Sequence, residues 1–173
     1  MSSGSPNGSP NGLPNGLPQG SAVTTTVSGG VACVALNRPD KRNALDRATL
    51  GALGEALAWC AAQPEVRILQ LTGAGNVFCA GADLTEMQAQ AHASEAENLA
   101  HARELAQVLS ALDSFPKPTL ARVNGDGYGG ALGLIAACDI VVAVEGAKFA
   151  FTEVRLGIIP AVVSPFEIGR AHV

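Results

Sequence analysis

The chain has 173 residues, enough for one domain, and with 47% hydrophobic residues it can bury a core. Only 15% of its residues are charged and the formal net charge is −4, which gives no electrostatic case for nucleic acid or an anionic membrane as a partner. No apolar run approaches the ~20 residues of a bilayer-spanning helix, and Cys33, Cys60, Cys79 and Cys138 lack metal-type spacing. With no signal peptide before them, these cysteines read as reduced thiols of a cytoplasmic protein.

Residues 5–20 are a tetrapeptide repeat: Ser-Pro-Asn-Gly twice, then Leu-Pro-Asn-Gly and Leu-Pro-Gln-Gly. Every unit carries both a Pro and a Gly, which break regular structure, so residues 1–22 are expected to form a disordered, dispensable tail. From Val23 the pattern changes. Residues 23–27 and 31–36 read as strands joined in a hairpin at Ser28-Gly29-Gly30. Residues 43–62 read as a helix, with Leu50, Leu53, Leu57 and Cys60 on one stripe. Residues 66–72 are rich in β-formers and end at Gly73. Residues 94–112 predict a second long helix, with a capping box at Ser94 and Glu97 and a face of Leu99, Ala102, Ala106 and Leu109. A short strand, 119–123, follows two prolines. A short apolar helix, 130–138, precedes strands at 140–144 and 148–151. Strand pairs alternating with helices predict an α/β fold of repeated β-β-α units.

Two small-residue turns stand out. The first is Phe78-Cys79-Ala80-Gly81-Ala82-Asp83-Leu84 and the second is Asn124-Gly125-Asp126-Gly127-Tyr128-Gly129-Gly130. Each follows a strand-like run and opens into a helix-like run, which leaves backbone N–H groups without partners. Two such groups aimed at one point make an oxyanion hole for a thioester or similar carbonyl. Downstream, Glu153 lies in the largely apolar run Phe151-Thr152-Glu153-Val154-Arg155-Leu156-Gly157-Ile158-Ile159-Pro160, a setting suited to acid–base work. Cys79 beside the first turn reads as a small buried hydrophobe rather than a nucleophile. His92 and His101 read as exposed helix residues, and Tyr128 has no motif to support a role.

A rival reading rests on Gly125, Gly127 and Gly130, which fit G-x-G-x-x-G, with Glu145 at the end of the next strand. That is the form of a dinucleotide-binding fingerprint. Against it, the following helix is short for a β-α-β crossover, the preceding strand is not the first of a parallel set, and neither Phe78-to-Leu84 nor Glu153 is explained.

The run Leu36-Asn37-Arg38-Pro39 with Asn43-Ala44-Leu45, the turn from Phe78 to Leu84, Gly129-Gly130 with Cys138-Asp139, and the stretch from Glu153 to Pro160 together resemble the crotonase (enoyl-CoA hydratase/isomerase) superfamily. The resemblance covers residues 23–166 in order and spacing. Lys117-Pro118-Thr119 and the run from Pro160 to Phe166 look most like bacterial methylglutaconyl-CoA hydratases and the related hydratases of branched acyclic-terpene breakdown. The resemblance implies a spiral of ββα units and an acyl-CoA substrate. It implies no metal or redox cofactor, coenzyme A being part of the substrate.

The same resemblance implies the roles of single residues. Ala82 and Gly130 supply the oxyanion N–H groups, with Gly81 and Gly129 permitting the backbone angles and Glu153 handling the proton. Lys41 and Arg42 approach the phosphate end of coenzyme A, near Ala44. Ala80 and Leu84 line the pantetheine tunnel, and Met87 is pocket wall or core. Asp83 belongs to the motif as a helix cap. Many hydratases of the family carry another glutamate where this chain has Gly133, at the substrate pocket, so one carboxylate remains. Single-glutamate members include double-bond isomerases, and hydration and isomerisation both stay open.

Residues 167–173 read Glu-Ile-Gly-Arg-Ala-His-Val and end the resemblance after Phe166. The codons GAG ATC GGA AGA GCA CAC GTC would encode them, and that string looks like a sequencing-library adapter. The sequence therefore predicts a non-native tail and a chain truncated before the C-terminal helical region. In the family that region covers the site and builds a homotrimer or dimer of trimers, so the 173-residue chain itself is expected to be an inactive fragment.

Overall fold

A computed structural model describes residues 22–168. Residues 1–21, which hold the tetrapeptide repeat, and residues 169–173 lie outside the described residues.

The first unit is a hairpin, β1 (Val23–Ser28) and β2 (Val31–Leu36), paired antiparallel through the turn at Gly29 and Gly30. Both glycines have positive φ, as a tight two-residue hairpin requires. Along β2 the side chains alternate, and Ala32, Val34 and Leu36 are buried. The helix α1 (Arg47–Ala62) starts four residues later than the spacing predicts. Asp46 caps it by accepting from the Thr49 N–H at 2.8 Å. Residues 43–45 are instead loop, because Arg42 and Asn43 adopt left-handed φ of 52° and 56°. The predicted stripe of α1 is buried as read, with Thr49 and Ala56 added.

The next units repeat a pattern. Strands β3 (Ile68–Gly73) and β4 (Val77–Cys79) precede α2 (Leu84–Gln90) and α3 (Glu95–Asp113). Strands β5 (Thr119–Val123) and β6 (Asp126–Tyr128) precede α4 (Gly130–Ala136), and β7 (Ile140–Ala143) and β8 (Phe149–Ala150) follow. Each pair divides between two sheets. One sheet runs β1-β2-β3-β5-β7 and the other β4-β6-β8. Every pairing beyond the first hairpin is parallel. The strand order advances in one direction without a switch point, so the chain climbs as a spiral.

This topology overturns the dinucleotide-binding reading. Between Gly125 and the helix the chain forms β6 in a second sheet, so β5 does not feed a crossover helix through a phosphate loop. Gly125 is instead where the backbone passes against Asn76, with no room for a side chain.

The capping box of α3 is present, with the Glu97 carboxylate accepting from the Ser94 N–H at 2.8 Å and the Ser94 hydroxyl from the Glu97 N–H at 3.3 Å. Its predicted face holds only at Leu109. The buried residues are Val108, Leu109 and Leu112, and Leu99 is 49% exposed. The cause is packing: α3 lies on α1 and α4 with its C-terminal half, and its first turns reach past them.

The core is one cluster around Leu53, Leu57, Leu69, Leu71, Phe78, Leu109, Val123 and Leu134, all essentially inaccessible. At the far end of the spiral the packing stops. All four residues of β7 are exposed, as are Phe149 and Phe151.

Candidate active site

The first turn is held from outside itself. The Leu45 N–H donates to the Gly81 carbonyl at 2.8 Å, and the Asp83 N–H donates to the Leu45 carbonyl at 3.0 Å. These two bonds bracket Ala82 in a single parallel bridge with Leu45. The Ala82 N–H faces the other way and makes no hydrogen bond among the described residues. Thus Leu45 bridges the first turn in extended conformation, a contact a helix at residues 43–45 could not make.

The second turn abuts the first. Gly81 has φ +85°, and a Cβ there would stand 2.6 Å from the Tyr128 carbonyl oxygen and 3.5 Å from the Gly130 nitrogen. Only a glycine lets the two segments approach so closely. Gly129, at φ +52°, donates to the Ala150 carbonyl at 3.0 Å, and its own carbonyl accepts from Leu132. The Gly130 N–H, like that of Ala82, has no acceptor among the described residues. Two unpaired donors, one in the turn after β4 and one at the start of α4, therefore lie on abutting segments.

Glu153 reaches the same place from a 3-10 turn, Glu153–Leu156, that ends at Gly157 in left-handed conformation. Its Oε1 is 3.1 Å from the point a Cβ on Gly129 would occupy. Its Oε2 is shielded from solvent and has no hydrogen-bond partner among the described residues. A carboxylate with an unused, buried oxygen beside two free N–H groups is poised to take up or release a proton.

Asp83 caps α2, accepting from the Thr85 N–H at 2.9 Å. It also accepts from Arg38 Nη2 at 3.2 Å. Burial pushes the Asp83 carboxyl up, but the Thr85 N–H and the Arg38 guanidinium outweigh it and hold the group below its ordinary value. Arg38 binds Asp46 at 2.9 Å and the Ala44 carbonyl at 2.8 Å as well, so one side chain ties residues 44–46 to the first turn. Asn43 does the same from below. It is 1% exposed, its Oδ1 accepts from the Arg38 N–H, and its Nδ2 donates to the Ala74 and Val77 carbonyls.

Of the remaining predicted residues, Ala80 is half-buried and donates to the Arg42 carbonyl at 3.0 Å. Ala44 is buried, Met87 is half-buried, and Lys41, Arg42 and Leu84 are exposed. Gly133 is buried beneath Val163 and Leu109, and a Cβ there would fall 2.7 Å from Val163 Cγ1. Cys79 is buried, and burial pushes its thiol up to about 12 despite the Gly81 N–H beside it, which removes it as a nucleophile at neutral pH. His92 lies exposed in the loop between α2 and α3. His101 is half-buried on α3, 4.0 Å from Glu86. A separate groove of about 420 Å³ between α1 and α3, lined by Leu50, Gly54 and Val108, contains no residue of this site.

Sequence reasoning missed Arg38 and Asn43 as supports, although both stand in motifs it quoted. Glu167, which the sequence analysis places in the non-native tail, is the last residue of the short helix α5 (Ser164–Glu167). Burial first, and then the charge of Glu153, push the Glu167 carboxyl up to about 7, so the two acids lie within electrostatic reach. No local signal pairs residues 153 and 167.

The enoyl-CoA hydratase/isomerase profile matches residues 26–171 of this chain. A curated protein from Thermus thermophilus described as a putative enoyl-CoA hydratase is 41% identical over 136 residues, covering 79% of this chain and 54% of the relative. The mevalonyl-coenzyme A hydratase SIDH of Beauveria bassiana is 38% identical over 134 residues, covering 75% of this chain and 48% of its own. Among solved structures, an enoyl-CoA hydratase from Shewanella pealeana superposes with a TM-score of 0.82 at 46% identity, covering 84% of this chain and 55% of that one. The chain spans about half the length of the relatives it matches. With the spiral of strand pairs and the paired glycine turns, these matches establish that the chain belongs to the enoyl-CoA hydratase/isomerase family.

Proposed function

We propose that the protein containing this chain adds water reversibly to an α,β-unsaturated, branched acyl-CoA such as methylglutaconyl-CoA. The observation that carries the reading is the meeting of three groups: the free N–H groups of Ala82 and Gly130, and the Glu153 carboxylate at Gly129. Water adds its oxygen to the β-carbon, and negative charge develops on the thioester oxygen between the two donors. Each preorganised donor of this kind is worth about 3 kcal/mol of barrier. Glu153 removes the proton from water, and a proton is returned to the α-carbon to close the balance. Nothing in that sequence calls for a metal or redox cofactor.

The branched substrate is supported by the resemblance around Lys117 and residues 160–166, and by a relative named for mevalonyl-coenzyme A. Lys41 and Arg42 are the proposed contacts to the coenzyme A phosphates, with Ala44, Ala80, Leu84 and Met87 along the thioester. A homotrimer or dimer of trimers in the cytoplasm is the assembly the resemblance supports. No helix among the described residues is long and apolar enough to cross a membrane.

A second reading, double-bond isomerisation, is favoured by one observation: Val163 and Leu109 leave no space at Gly133 for the other glutamate, and a single carboxylate suffices to move one proton along a chain. Glu153→Gln in the complete gene product tests both. Coenzyme A thioester binding should persist while turnover falls by two or more orders of magnitude. The product formed by the wild-type enzyme, hydroxyacyl or shifted alkene, separates the readings. Near-normal turnover of the variant removes Glu153 from either mechanism.

A further inference from the structure

Arg42 is exposed, yet its guanidinium is not free. Its Cζ lies 5.9 Å from the centroid of the Tyr128 ring. The Tyr128 hydroxyl donates to Asp126 Oδ2 at 2.9 Å, and Asp126 Oδ1 accepts from the Lys148 N–H at 3.0 Å. The ring is thus pinned at its tip by a carboxylate that is itself anchored to the next strand pair. At its base Tyr128 is fixed too, because its carbonyl oxygen packs against Gly81 and its chain neighbours are Gly127 and Gly129. The backbone of Arg42 is equally constrained. It sits in left-handed conformation, its N–H bonds to Pro39 and its carbonyl accepts from Ala80. The Tyr128 hydroxyl and the Lys148 N–H hold the Asp126 carboxyl below its ordinary value, and Asp126 in turn raises Tyr128.

An exposed arginine has rotamer entropy that must be lost on binding an anion. Holding the guanidinium over a fixed ring removes part of that loss beforehand. The guanidinium also interacts with the Tyr128 hydroxyl, and its remaining N–H groups can bond a phosphate. We propose that Tyr128 and Asp126 are positioning residues that hold Arg42 ready for a phosphate of coenzyme A. This rests on the assignment of Arg42 to the phosphate end of the thioester. Tyr128 also joins the two ends of the substrate, since the next two residues are Gly129 and Gly130 of the oxyanion turn. The geometry sets how far the phosphate contact stands from the reacting carbonyl.

The experiment compares dissociation constants of coenzyme A and of pantetheine, which lacks the phosphates, for the complete gene product and its variants. The wild type should bind coenzyme A more tightly than pantetheine, and Arg42→Ala should shrink that preference. Tyr128→Leu should weaken coenzyme A about fivefold, the scale of one exposed cation–π contact plus side-chain ordering, and leave pantetheine unchanged. Tyr128→Phe, which keeps the ring and removes the hydroxyl, and Asp126→Asn should each give a smaller loss in the same direction. Equal weakening of both ligands by Tyr128→Leu, or wild-type affinity in that variant, overturns the proposal. So does a wild type that does not distinguish the two ligands. The hydratase reading fails separately, if the wild type binds coenzyme A but turns over no unsaturated thioester.

Discussion

Replacing Asn43 with alanine should be among the most damaging single changes outside the hydrophobic core. The side chain makes three hydrogen bonds at a site that is 1% exposed: from the Arg38 N–H at 2.9 Å, and to the Ala74 and Val77 carbonyls at 2.9 and 2.8 Å. Truncation leaves one buried N–H and two carbonyls without a protein partner, at about 1–3 kcal/mol for each group that water cannot reach. Alanine also has no local hydrogen bond to support φ +56°, a further ~1 kcal/mol. A total near 4 kcal/mol is expected, against the ~5–15 kcal/mol that a folded domain has in hand. Two companion variants separate the causes. Asn43→Gly restores the backbone freedom and should recover only the ~1 kcal/mol conformational part. Asn43→Asp preserves shape but turns an oxygen toward two carbonyl oxygens, so it should be no better than alanine at pH 7. It should improve in acid, where a protonated carboxyl offers one donor. Urea unfolding of the chain with linear extrapolation measures all three. A loss below about 1 kcal/mol for Asn43→Ala would refute the reasoning, since it would mean the three partners find replacements at no cost.

Gly81→Ala should cost about 3 kcal/mol and at least a hundredfold in turnover, because its Cβ meets the Tyr128 carbonyl at 2.6 Å and displaces the neighbouring Ala82 donor; thermal unfolding and steady-state kinetics check both. Gly133→Glu, which restores the family's other acid, should destabilise by about 1–3 kcal/mol without raising hydration, and Val163→Ala in the same chain should relieve part of that loss by clearing the contact at 2.7 Å. Stability should also fall with rising pH through the range of Glu167. Its carboxyl is raised from 4.5 to about 7 by burial and by Glu153, so the folded state holds its proton more tightly than the unfolded chain. That contribution is fully present below about pH 4.5 and is lost as the pH rises through about 7. With a partly exposed side chain it is discounted for solvent screening to about 1 kcal/mol. Chemical denaturation of the chain and of Glu167→Gln from pH 4 to 8 measures it, and identical pH profiles would show that neither burial nor Glu153 raises the Glu167 carboxyl.

What the sequence by itself determined was whatever depends on near neighbours. The alternation along residues 31–36, the stripe on α1, the Ser94–Glu97 capping box and the glycine hairpin are present as read. Each rests on residues within a few positions of one another, where a backbone preference acts without help from the rest of the chain. The two glycine turns and Glu153 were legible as candidates for the same reason, as residue types the chemistry needs. Only the tertiary structure decided how they meet. Helical spacing extends over 43–45 in the sequence, but the segment is pulled into a bridge with Ala82 by bonds from Asn43 and Arg38 to residues about thirty or more positions away. Asp126 to Tyr128, read as part of a turn, become a strand because β4 and β8 flank them. The predicted face of α3 shifted because α1 and α4 cover only its C-terminal half. Gly81 meets Tyr128 and Gly129 meets Glu153 because β4, β6 and β8 lie side by side, whereas Gly133 meets Val163 because α5 packs on α4. Local preferences amount to tenths of a kcal/mol per residue, whereas buried hydrogen bonds and packed contacts are worth about 1–3 kcal/mol each. Where the two compete, the distant contact sets the conformation.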